Sequence, residues 1–196
     1  LTFTISKGFE DSERGQVATL YWEAFAQKLQ FPMGPRDKAL TFIANELHPD
    51  FALIARNGAG VIIGVAGFKT AEGALIGGDM AALARVYGWL SACWRGPLLS
   101  LMERGVSEDI LLMDGICVDP SARGAGVGTM LLQSIMEEAK AQQLHAVRLD
   151  VIDTNPRARA LYERRGFVAA ATEDLGPLRW IFGFSQSTTM ICRFTT

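Results

Sequence analysis

Cysteine is scarce in this chain. Cys93, Cys117 and Cys192 are three in number and mostly apolar in surroundings. An odd, sparse set is no disulfide framework, so buried free thiols and a reducing, cytoplasmic setting are expected. Histidine is scarcer: His48 and His145 stand alone, no metal-ligand spacing links them to the cysteines, and no metal is expected. Charge of one sign is also lacking. With 19 Lys and Arg against 21 Asp and Glu, there is no basic excess to hold a nucleic acid. No apolar run approaches the length of a membrane span and the N-terminus has no signal-peptide layout, so no membrane partner is expected. Repeats, low-complexity stretches and linkers are missing too. What remains is 196 residues that are 49% apolar, enough for one core, so residues 1–196 read as a single domain.

The chain alternates strand and helix patterns. Thr2–Lys7 alternates like a strand. Glu10–Gln27 carries Val17, Leu20, Tyr21, Ala24 and Phe25 at helical spacing, with Asp11 or Ser12 as cap. Phe31-Pro32-Met33-Gly34-Pro35 reads as a break, and Arg36–Leu47 as a second helix. Phe51–Arg56 and Val61–Lys69 flank Asn57-Gly58-Ala59-Gly60, a hairpin signal. Ile110–Val118 is an apolar strand interrupted by Asp114 and Gly115, and a glycine there suggests a bulge or a close backbone approach. Val147–Ile152 is the next strand, with Asp150 inside it. Asn155-Pro156 starts a helix, and Phe167–Ala171 and Thr188–Phe194 close the sheet, joined by the aromatic stretch 178–184.

Arg123-Gly124-Ala125-Gly126-Val127-Gly128-Thr129 is the most informative stretch. The helical spacing of Leu131, Leu132, Ile135, Met136 and Ala139 puts this loop at a helix N-terminus. Unpaired N–H groups and the positive dipole end there suit a phosphate or pyrophosphate, and Arg123 adds a planar cationic fork. It is not a Walker loop, because no Lys follows Gly128. It is not the dinucleotide fingerprint, because the third glycine would fall at Thr129. A glycine-rich turn without a ligand is the plain alternative.

Ile116-Cys117-Val118-Asp119-Pro120 before the loop, then Asn155, Ala160-Leu161-Tyr162 and Gly166-Phe167 after it, extend the pattern. Over about residues 110–170 this resembles the GNAT (GCN5-related N-acetyltransferase) superfamily. The resemblance implies an α/β fold: a mixed, mostly antiparallel sheet splayed at two central parallel strands, with helices on both faces. It also implies an acetyl-CoA-dependent N-acetyltransferase that moves acetyl directly to an amine of a small molecule or peptide. Acetyl-CoA would be a cosubstrate, its pyrophosphate on Arg123–Thr129 and its pantetheine arm against the backbone of Ile116, Cys117 and Val118. Asn155 and Ala158 would flank that arm, and Arg164 would reach a phosphate or remain solvated. Tyr162 falls where the family keeps the group that protonates the departing thiolate; packing in the core is its other reading. Asp114 and Asp150 are the candidate general bases. A carboxylate inside an apolar strand is costly unless paired or functional, so for Asp150 an ion pair to Arg148 or Arg157 competes with the catalytic role. Cys117 as a covalent nucleophile is a rival without a partner base in any motif.

Residues 71–108 exceed the short turn that the resembled family has at this point and read as a helical insertion. Gly73–Gly78 looks flexible, Met80–Trp94 helical, Arg95-Gly96-Pro97 a break, and Leu98–Arg104 helical again. Its apolar content suits core packing, a substrate lid or a homodimer interface. A non-catalytic acyl-CoA-binding module on the same fold, or an enzyme using a longer acyl donor, remain open alternatives at this level.

Overall fold

The computed structural model describes residues 2–100 and 105–194. Strand β1 (Phe3–Lys7) leads through a short 3-10 turn into helix α1 (Arg14–Met33), followed by α2 (Arg36–Glu46). Strands β2 (Ala52–Asn57) and β3 (Ile62–Thr70) form the expected hairpin. In its turn the Asn57 carboxamide oxygen accepts from the amides of Ala59 and Val61, both at 3.0 Å. Then come β4 (Gly73–Ala74), α3 (Met80–Tyr87) and α4 (Trp89–Ser100). The cofactor-loop region expected from sequence follows as β5 (Ile110–Val118), α5 (Val127–Ala141), β6 (Ala146–Ile152) and α6 (Pro156–Arg164). Strand β7 (Val168–Asp174), the short helix α7 (Arg179–Phe182) and β8 (Gln186–Arg193) complete the order.

One mixed sheet runs β1-β2-β3-β5-β6-β8-β7, with β4 paired to β3. Every neighbouring pair is antiparallel except β5 and β6. Helices cover both faces, as the resemblance implies. On one face α1, α2 and α3 bury Val17, Trp22, Ile43 and Leu83 against Ile54, Val65 and Cys117. On the other, Val127, Leu131, Leu132 and Ile135 of α5 meet Ala66, Phe68, Leu111 and Val147. Leu131, Leu132 and Ile135 have no exposed surface, and each contributes about 1.5–3 kcal/mol by leaving water.

Four expectations need correction. Helix α1 does not stop before Phe31; it continues through Pro32 to Met33. Gly73–Gly78 is not a flexible stretch, because Gly73 and Ala74 pair with β3, Leu75 is fully buried and Ile76 bridges to Leu47. The insertion breaks at Gly88, whose φ of 81° ends α3, and not at Arg95-Gly96-Pro97, which lies within α4. Cys93 is exposed, so only Cys117 and Cys192 are the buried thiols expected. The expected helical end at 101–104 lies outside the described residues.

Candidate active site

The β5–β6 pair fixes the site. Their parallel ladder runs from Ile110–Ala146 to Met113–Leu149 and ends there. Beyond it β6 continues with β8 as far as Ile152–Ser187, while β5 continues with β3 as far as Val118–Gly64. The two strands part, and among the described residues the β5–β6 ladder does not extend to 116–118. A ligand that offers amide groups can pair with such an edge.

The register of β5 against β3 shifts at the same place. Gly67 faces Gly115 and Phe68 faces Met113, so Asp114 is the extra residue of a β-bulge. The bulge turns the Asp114 side chain out of the strand, and it is exposed in a large cleft.

Past Val118 the chain tightens. The Asp119 carboxylate accepts from the Ser121 amide at 2.8 Å and from its hydroxyl at 2.5 Å. Those bonds hold the Asp119 carboxyl below its usual range, against the opposing effect of burial. Ala122 and Val127 are buried and anchor the loop between them. Gly124 and Gly126 take φ of 82° and 87°, and a Cβ at either would meet nothing within 4 Å. The turn is thus open to a ligand from outside and requires glycine for its backbone. Gly126 caps α5, whose first helical bond runs from the Met130 amide to the Gly126 carbonyl at 3.1 Å. The amides of Val127, Gly128 and Thr129 precede that bond, as an anion site requires. Arg123 is exposed, with its Nε donating to the Val118 carbonyl at 3.1 Å. Glycines, amides and guanidinium together fit a pyrophosphate.

Helix α6 borders the same splay. The Asn155 carboxamide oxygen accepts from the Ala158 amide at 3.2 Å, so Asn155 is a helix cap, one of its two expected roles. Leu161 approaches the start of α5 together with Ile116 and Val118. Tyr162 is 7% exposed and its ring centroid lies 6.0 Å from that of Phe167. Burial, then the negative charge that Cys117 can carry, pushes its phenol up to about 12. Cys117 is itself buried and its thiol is pushed strongly upward, which opposes the thiolate that a nucleophile needs. Arg164 is exposed at the last turn of α6.

Asp150 sits across the splay. Thr189 donates its hydroxyl to Asp150 Oδ1 at 2.6 Å, and Arg148 Nη2 stands 3.8 Å from the same oxygen. The expected ion-pair partner is therefore Arg148. Asp114 and Asp150 line one cleft of about 1070 Å3, which also takes in residues of α1, α2, the insertion and the 175–187 connection. The insertion contributes residues 73–80 apart from Leu75, together with Leu83, Gly96, Pro97, Leu99 and Ser100. Trp89, at 66% exposed, and Trp94 do not line it. Tyr21, Lys28, Lys69 and Glu173 border the cleft and had no motif to mark them. The Tyr21 phenol is pushed far up by burial first, then by the charges of Asp114 and Cys117, which places it beside both.

A sequence profile of the acetyltransferase (GNAT) family matches residues 15–167. The chain belongs to the GNAT acetyltransferase family. Among solved structures, an N-acetyltransferase from Staphylococcus aureus Mu50 superposes with a TM-score of 0.69 at 17% identity, covering 96% of this chain and 100% of that one. A GCN5-related N-acetyltransferase from Kribbella flavida gives 0.67 at 16% identity, covering 98% of each chain. At such identities the likeness is one of fold. A mycothiol acetyltransferase from Beutenbergia cavernae is 43% identical over 54 residues, which are 28% of this chain and only 18% of that protein. Among the described residues no helix is long and apolar enough to cross a membrane, and no cluster of His, Cys, Asp and Glu could hold a metal ion.

Proposed function

We propose that this GNAT protein is an acetyl-CoA-dependent N-acetyltransferase that acts on an amine by direct transfer. One observation carries the reading. The β5–β6 splay has an anion-accepting helix start and Tyr162 to one side, and opens on the other into a carboxylate-lined cleft. When bound, acetyl-CoA supplies a thioester whose C–S bond breaks as the C–N bond to the amine forms. Arg123 and the amides of Val127, Gly128 and Thr129 hold the pyrophosphate, with Gly124, Ala125 and Gly126 leaving room for it. The free edge of Ile116, Cys117 and Val118 pairs with the pantetheine arm and orients the carbonyl. Asn155 and Ala158 flank that arm, and the exposed Arg164 is in place to reach a phosphate. Asp150 or Asp114 takes the proton that the amine must lose. Tyr162 donates a hydrogen bond to the departing sulfur, and a phenol near 12 keeps its proton for that task throughout the neutral range.

A screen of acetyl-CoA turnover across polyamines, aminoglycosides, amino acids and peptides, read by release of free CoA thiol, tests this function. Acetylation of a defined amine supports it. Absence of turnover with every acceptor class, in protein that binds CoA, would favour a binding module.

A further inference from the structure

This inference rests on the acetyltransferase reading and names the acceptor's chemistry. The cleft lining is uneven in two respects. Its walls are apolar, with Phe25 and Leu29 from α1, Phe42 from α2, Met80 and Leu83 from the insertion and Phe182 from α7. Its ionisable lining is acidic: five carboxylates, Asp79, Asp114, Asp150, Glu173 and Asp174, against the two lysines Lys28 and Lys69, a net formal charge of −3. Arg148, which stands 3.8 Å from Asp150, offsets one of these charges, and the whole chain carries −2, so the cleft is still more acidic than the molecule around it. A recess of one net sign between low-dielectric walls concentrates cations and repels anions. The carboxylates also have a position. Asp114 sits on the bulge and Asp150 on the opposite strand of the splay, at the sheet end of the cleft. The insertion and α7 supply apolar surface to the same cleft, with Asp79 at the start of α3 and Asp174 at the end of β7 as further carboxylates. About 1070 Å3 is at the upper end of small-molecule sites, far more than an amine head fills.

We infer that the acceptor is a primary amine on an extended apolar body without carboxylate or phosphate. The ammonium is drawn to Asp114 and Asp150 before losing its proton, while the body lies along α1, α3 and α7. Amino acids, acidic peptides and phosphorylated amines are disfavoured by the same field.

Calorimetry on the intact chain with butylamine, hexylamine, octylamine and 8-aminooctanoate tests the inference, with turnover of acetyl-CoA measured in parallel. Affinity should rise about three- to fourfold per added methylene, the transfer gain of a buried CH2. Octylamine should bind at least about tenfold tighter than 8-aminooctanoate, which differs by one carboxylate in an acidic recess. Met80→Gln should flatten the chain-length dependence, and Glu173→Gln should narrow the gap between octylamine and 8-aminooctanoate. Affinity that is flat with chain length, or equal for the carboxylate-bearing amine, overturns the inference even if other amines are acetylated. The predicted binding order without turnover of any bound amine upholds the cleft chemistry and counts against the transfer reading.

Discussion

Phe25 of α1 lies directly on Gly115 of β5: a Cβ built on Gly115 would stand 2.2 Å from Phe25 Cζ. The first helix is therefore seated on the bulge that turns Asp114 into the cleft. Gly115→Ala should cost about 1–3 kcal/mol, as overpacking does, and should lower turnover by disturbing Asp114. Adding Phe25→Ala should recover part of the lost melting temperature. A Gly115→Ala protein with unchanged melting temperature and turnover would mean that this contact yields freely.

Tyr162→Phe should lower turnover by about a hundred- to a thousandfold, the usual loss when one hydrogen-bond donor to a developing negative charge is removed. CoA affinity should stay nearly constant, because the pyrophosphate loop and the β5 edge are untouched. Unchanged turnover, with the chemical step confirmed as rate-limiting, would remove Tyr162 from the mechanism.

The chain has three tyrosines, and all three phenols are raised by burial: Tyr21 strongly, Tyr87 and Tyr162 to about 12. Each binds its proton more tightly folded than unfolded. The corresponding stability is complete below the ordinary value of about 10 and is lost as pH climbs through the folded values. Ultraviolet titration of the native protein should show phenolate appearing above the midpoint seen in denaturant, with stability falling over that window. Coincident native and denatured titration curves would contradict the burial described.

Asp150→Asn should depress turnover more than Asp114→Asn. Asp150 is oriented by Thr189 at 2.6 Å, whereas the Asp114 side chain is exposed at a bulge. Steady-state rates of the two variants across pH decide the matter. The reverse order would assign the base to Asp114, and no effect of either would leave deprotonation to water.

The site was legible where its signals are local. Glycine spacing, a following helical stripe and the Asn-Pro cap each lie within a few residues, so the loop, α5 and α6 could be placed from sequence. The end of α1 could not, because distant partners decide it, whereas the end of α3 had a local mark in Gly88 that the apolar run around it masked. Arg95 donates to the Pro32 carbonyl at 2.5 Å and the Tyr87 hydroxyl to the Met33 carbonyl at 2.5 Å. Insertion side chains thus satisfy the last carbonyls of α1, and the helix runs on through a proline that would otherwise stop it. The Arg95 guanidinium also lies 4.4 Å from the ring centroids of both Tyr87 and Trp94. That packing engages Tyr87 and Trp94, while Trp89 stays 66% exposed. The way side chains converge on the cleft was hidden for the same reason. Tyr21, Lys69, Asp114 and Glu173 converge from four elements, and no periodicity within one element reveals such a meeting.

We predict that the Arg123–Thr129 turn and the β5–β6 splay bind acetyl-CoA. Titration calorimetry with CoA tests it most directly, comparing the wild-type chain with an Arg123→Ala, Gly126→Val double variant. Micromolar binding to the wild type is predicted, with loss of binding in the variant. The first change removes the cationic fork, and the second puts a β-branched side chain at a φ of 87° where the pyrophosphate must approach. A folded wild-type protein that gives no heat with CoA, or a variant that binds as tightly as the wild type, would contradict the account.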